Sequence, residues 1–262
     1  MLITYIRPNR AYHIYQKSGY LSGLGKLETQ QRLKMGHELG NQLDDIYRRG
    51  FPEWTLEDQI AIRNFLTNLR SLDHLMGATC IWKFIKMDHR LEWGYPHTVM
   101  DCIVLPEQVL QEMSRGLTQK RIRTLIHEQV HILQRQYPGW FRQLYHSWGF
   151  RELRVNIPEH ILTRLLTNPD GRSRTWAIQI QTQWYLPLVM VNHQTVLGRI
   201  SNHGEIVELT PVTEKYLSQL PSRLQPYHPN EISAHWIADH QIMKQITNQI
   251  SNQITNQSYE SS

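Results

Sequence analysis

The sequence predicts an α+β fold, and three features carry that expectation. The first third is rich in Gln, Leu, Arg and Glu over long stretches without proline, which suits helix. A segment near the middle, Thr118 to Gln136, places Ile122, Leu125, Ile126, Val130 and Leu133 at helical spacing. From Trp176 to Leu209 apolar and polar residues alternate with the period of a strand and are broken by turn residues. A chain of 262 residues with 40% hydrophobic, 10% aromatic and 19% charged residues is long and apolar enough to bury a core without staples. Intrinsic disorder is excluded by the same balance.

In chain order, a helix is expected from Lys26 to about Arg49. A second follows Thr55 as N-cap, with Glu57 and Asp58 in its first turn and Leu56, Ile60, Phe65, Leu66 and Leu69 near one face. Residues 26–75 thus form a helical front end. Ile81 to Met87 and Asp101 to Leu105 read as strands, the latter stopped by Pro106. Between them Gly94, Tyr95, Pro96, His97 and Thr98 are too punctuated for a regular element. After the central helix, ended by Tyr137-Pro138-Gly139, another helical stretch is expected from about Ile157 to Leu166, then a turn at Asn168-Pro169-Asp170-Gly171. Residues 172–210 are expected to form an antiparallel β insertion, with Asn202-His203-Gly204 as a hairpin turn. Pro229-Asn230 opens a last helix with Asn230 as its N-cap. The expected organisation is one unit over 1–244 and a low-complexity Gln/Ile/Asn tail over 245–262.

No apolar run approaches the roughly 20 residues needed to span a bilayer, and the N-terminus has no secretory pattern. The expectation is an intracellular protein without membrane association. Cys80 and Cys102 are then small core residues rather than a disulfide. The net charge of +5 favours anionic partners. Its densest cluster, Lys120, Arg121 and Arg123, is read as a solvated helix face in preference to a nucleic-acid site.

The chemistry lies in the central helix, where His127-Glu128-Gln129-Val130-His131 has the pattern H-E-x-x-H. Residues four apart on a helix project from one side, so His127 and His131 present their imidazoles to one zinc ion. Glu128, one position on, is placed to take a proton from water that the metal has acidified. With this composition the five-residue pattern arises by chance roughly 0.04 times per chain. Apart from the motif's own three residues, Thr124 to Leu133 is uncharged, as a buried active-site helix requires.

This helix resembles that of the zincin superfamily of zinc metallopeptidases. The resemblance implies a twisted sheet before the helix, an edge strand lining the substrate cleft, and a third ligand from a C-terminal segment. The metzincin continuation is absent, because Ile132 to Tyr137 holds no third His. Gluzincins instead use a Glu on a later helix, and Asn230-Glu231-Ile232-Ser233-Ala234 is similar to that context. Glu231 is therefore the expected third ligand, with small Ser233 and Ala234 permitting close helix packing. The usual Asp four residues later is replaced by His235, with Asp239 a turn beyond. Glu152 has the more ordinary spacing from His131 but reads as a surface carboxylate. Tyr227 and His228 are the expected oxyanion donors, with His97 a further candidate and His228 also a candidate helix cap.

The implied activity is hydrolysis of peptide or protein substrates with zinc held by His127, His131 and Glu231, and Glu128 as general base. The substrate is expected to lie along the Asp101 to Leu105 strand. Two rivals remain open: a catalytically inactive binding or scaffold protein of the same fold, with zinc absent or its fourth position blocked, and a nucleic-acid-associated protease acting on DNA-bound proteins.

Overall fold

A computed structural model describes residues 2–24, 28–29, 43–67, 81–116, 118–166 and 175–240. Cys80, Leu69, the 168–171 turn, most of 26–42 and the 245–262 tail lie outside these residues.

The architecture is α+β, and an unexpected strand and helix precede the expected helical segment over 26–75, whose described residues form helices at Leu43–Arg49 and Leu56–Thr67. Strand β1 (Leu2–Ile6) runs parallel to β2 (Ile81–Met87), which runs parallel to β4 (Cys102–Pro106). The short β3 (His97–Val99) pairs antiparallel with β4 and ends the sheet, whose order is β1-β2-β4-β3. The 94–98 linker is thus partly an edge strand, and β4, paired on both sides, is an inner one. Its main chain is already used by the ladder. The expectation of substrate along residues 101–105 is corrected accordingly: β3 is the terminal strand on that side.

Side chains on β2 and β4 alternate between two cores, as the pleat demands. Ile85, Met87, Cys102 and Val104 meet helices α1 (Pro8–Ser18) and α2 (Leu43–Arg49), through Tyr12, Tyr15 and Tyr47. Burial pushes the Cys102 thiol up to about 12, so it behaves as the small core residue expected. Trp82, Phe84, Ile103 and Leu105 meet α3 (Leu56–Thr67), α4 (Glu107–Ser114) and α5 (Gln119–Gln136). The start of α3 is fixed by reciprocal bonds: the Asp58 amide donates to Thr55 Oγ1 at 3.1 Å and the Thr55 amide to Asp58 Oδ2 at 2.9 Å. Its buried face is Ala61, Ile62, Phe65 and Leu66, while Leu56 and Ile60 are exposed, contrary to the expected stripe.

Helix α5 spans the expected residues and is buried all round from Leu125 to Gln134. Leu125 and Ile132 pack toward the first sheet, whereas Ile126, Val130 and Leu133 pack toward a second core. That core contains α6 (Pro138–Ser147), β6 (Trp176–Ile180) and a helix over 229–240, here α9. The second sheet is antiparallel, in the order β5 (Phe150–Glu152), β6, β7 (Gln183–Val189), β8 (Thr195–Ile200) and β9 (Ile206–Pro211). It lies in sequence between α5 and α9. Two short helices, α7 (Glu159–Leu162) and α8 (Glu214–Leu217), flank it, and α7 is shorter than the expected 157–166 stretch. No helix among the described residues is long and apolar enough to cross a membrane.

Candidate metal centre

Two buried helices build the site. From α5, His127 Nε2 and His131 Nε2 lie 3.0 Å apart. From α9, Glu231 places Oε2 3.3 Å from His127 Nε2 and Oε1 3.5 Å from His131 Nε2. Four ligands held at 2.0–2.1 Å around a tetrahedral metal are separated by edges of about 3.4 Å. The His127–His131 separation and the two carboxylate contacts, each to a different Glu231 oxygen, are of that order, and the donors are the imidazole and carboxylate types that zinc takes. His131 and Glu231 are almost fully buried, so no solvent stabilises this convergence. Burial alone would raise the Glu231 carboxyl, but the facing His131 and His127 outweigh it and hold it well below the usual carboxylate range. It is therefore ionised at neutral pH, as a ligand must be.

The remaining bonds set the tautomer of His131. Gln134 Nε2 donates to the Asn230 carbonyl at 2.8 Å and to Ser233 Oγ at 2.9 Å. Its Oε1 must then face His131 Nδ1, 2.9 Å away, and accept the proton there. In the neutral ring that metal ligation requires, the Nε2 lone pair then lies on the side where Glu231 and His127 converge. Gln134 thus orients a donor and joins α5 to α9. Ser233, fully buried, is small enough to let the helices meet, and Tyr145 OH lies 3.3 Å from its Oγ. Sequence reasoning singled out Ser233 for its size but missed Gln134, although its place three residues after His131 is a usable signal.

The other candidates fall in different places. Glu128 is buried and lines the cleft beside His127. Tyr227 also lines it, with its hydroxyl 3.4 Å from Gln225 Oε1. His228 accepts the Asn230 amide at Nδ1, 3.1 Å away, one residue before the helix over 229–240 begins. It caps α9, and Asn230, expected as N-cap, lies inside the helix because Pro229 already occupies the first turn. His97 lines the cleft, yet its Nδ1 donates to the Tyr95 carbonyl at 3.1 Å and its Nε2 accepts from Tyr15 OH. Glu152 is exposed on β5 and pairs with Arg142 at 3.1 Å, remote from the histidines in its contacts. The structure therefore brings together His127, His131 and Glu231 and leaves Glu152 outside. Asp239 pairs with Arg123, and Arg121 with Glu112, so two of the three clustered basic residues are matched by acids.

The cleft, about 350 Å³, opens onto His127, Glu128 and Glu231. One wall is the segment before β3, where Glu92, Trp93 and Gly94 have φ of 50°, 55° and 71°. Two successive non-glycine residues in the left-handed region cost on the order of 1–3 kcal/mol each. The Glu92 carboxylate, buried, holds them by accepting from Tyr20 OH at 2.7 Å and from Tyr47 OH. Burial, then the charge of Glu92, keeps the Tyr47 hydroxyl well above its usual value, so it stays a donor. At Gly94 a Cβ would fall 2.9 Å from the His89 carbonyl and closer still to Gln108 Nε2. The opposite wall carries His193, whose ring meets Trp93 edge-on at 4.9 Å between centroids. His235 of α9 also lines the cleft, with its ring centroid 4.4 Å from that of His127. Burial, with His127 next, pushes His235 down to about 3, so its ring is neutral at neutral pH.

No family model, no curated protein and no solved structure matches the chain. The fold and the donor geometry therefore stand on their own: an α+β protein with a His-His-Glu cluster at the base of a cleft between two helix-backed sheets.

Proposed function

We propose that the protein is a zinc-dependent peptidase of the zincin type, with His127, His131 and Glu231 as the metal's protein ligands. The reading is carried by one observation: two imidazole nitrogens 3.0 Å apart on one buried helix face a buried carboxylate on another, whose two oxygens lie 3.3 and 3.5 Å from them, the donor types and spacing that suit zinc. Bound zinc supplies Lewis acidity, polarising the scissile carbonyl and making water a nucleophile at neutral pH.

The chain's own residues supply the rest. Glu128 follows a ligand on the same buried turn and lines the cleft, so its carboxylate takes the proton from the attacking water and later delivers it to the leaving amine. Gln134 keeps His131 in the ligating tautomer. Tyr227, on the cleft surface, is the proposed donor to the developing oxyanion. Tyr227 is preferred to His228 because it lines the cleft, whereas His228 is not among the lining residues and its Nδ1 caps α9. The substrate is proposed to lie in the cleft against Tyr95, Pro96 and His97, at the start of β3, whose far end Arg135 ties to α5 through the Met100 carbonyl at 2.7 Å and Thr98 Oγ1. A nucleic-acid-directed role draws no support from Arg121 and Arg123, since both are paired with acids.

The test is Glu128→Gln assayed on an unfolded protein substrate alongside zinc content. Zinc should remain near one per chain while hydrolysis falls at least about 100-fold. Wild-type protein that holds zinc yet cleaves no peptide bond would sink the peptidase reading.

A further inference from the structure

His235 stands where the proposed reading of the metal site leaves a position open. Its helix, α9, carries Glu231 and His235 four residues apart, as α5 carries His127 and His131. Two facing helices that each offer an i, i+4 donor pair supply four donors around one point. We propose that His235 is a fourth protein donor to the metal, so that the resting centre is closed by three imidazoles and one carboxylate.

Three observations converge on this. The ligand atoms of His127, Glu231 and His235 lie within 4.8 Å of one another. That bound accommodates the edge of about 3.4 Å in a closed tetrahedron, so the His235 imidazole is within reach of the same metal. Both ring nitrogens of His235 are buried and have no hydrogen-bond partner, a costly state that coordination relieves at one of them. Its ring is also not used to orient His127. The two rings lie against each other at an interplanar angle of 53°, and His127 Nδ1 is itself buried without a hydrogen bond. Gln134 performs that orienting duty for His131, and nothing comparable links His235 to His127.

The consequence concerns access. Water or a substrate carbonyl reaches the metal only by displacing His235 or by raising the number of donors to five. His235 then acts as a plug on a centre otherwise built for hydrolysis.

The test uses the full chain loaded with one equivalent of zinc and X-ray absorption at the zinc edge, which counts imidazoles through scattering from their ring carbons. Three imidazoles are expected in the wild type and two in His235→Ala. His235→Phe, which keeps a ring against His127 but offers no donor, should also show two and guards against a variant that fails to fold. Two imidazoles in the wild type, or three retained in His235→Phe, would overturn the fourth-donor assignment while the His127, His131 and Glu231 site stands. A wild-type chain that binds no zinc would overturn both.

Discussion

The base of the cleft and its wall are built by opposite means. At the base, His127, His131 and Gln134 lie within eight residues of one helix, and the partners Asn230, Glu231 and Ser233 lie within four residues of another. At the wall, Glu92 and Trp93 hold unfavourable backbone angles because Tyr20 and Tyr47, 72 and 45 residues away in sequence, bond the Glu92 carboxylate. The base concentrates charge where a cation is expected to balance it, and the wall stores backbone strain that distant hydroxyls offset. Chemistry and stability should therefore separate when the two are perturbed.

The largest expected effect is at the base. Glu128→Gln should lower peptide hydrolysis by at least about 100-fold, with thermal midpoint and zinc content unchanged; a matching loss of stability would merge the two regions. Next comes Gln134→Leu, which releases His131 Nδ1 and both bonds to α9. Zinc affinity measured by chelator competition should fall about 10- to 100-fold. An unchanged affinity would mean that Gln134 only packs the helices.

The wall should respond in the other sense. Glu92→Leu leaves the buried hydroxyls of Tyr20 and Tyr47 without their shared acceptor. Each unpaired group costs about 1–3 kcal/mol, so denaturant unfolding should show a loss of about 2 kcal/mol or more with zinc stoichiometry intact. Loss of zinc in that variant would show that the wall also shapes the base. The smallest effect is expected from Trp93→Ala, which removes the edge contact with His193 across the cleft. KM should rise a few-fold with kcat preserved, and a change confined to kcat would contradict its place on the wall.

The same contrast explains what the sequence made legible. The metal helix was readable because both its periodicity and its motif are local, and β2 and β6 to β9 because alternation is local too. Glu231 was singled out by the resemblance of the Asn230-to-Ala234 context, in which Ser233 accepts a hydrogen bond from Gln134. Strand β1 was missed because a five-residue strand at the chain's start gains its meaning from a parallel partner that begins at Ile81. Strand β3 was missed because its three residues follow a segment punctuated by Gly94 and Pro96, and its pairing with β4 is set by the turn at Met100, where φ is 54°. Leu56 and Ile60 misled because periodicity alone does not say which side of α3 meets the sheet. Nothing local marks Glu92 and Trp93 as left-handed, since neither is glycine and the tyrosines that impose the geometry lie elsewhere in the chain.

The central claim is that one zinc sits between α5 and α9. Crystals grown with zinc and measured on both sides of its absorption edge test this most directly. A single strong anomalous peak is expected about 2.0–2.2 Å from His127 Nε2, His131 Nε2 and a Glu231 carboxylate oxygen. A peak instead at the other cluster with metal-binding chemistry, Asp88, His89 and Glu107, with none between the two helices, would contradict the account.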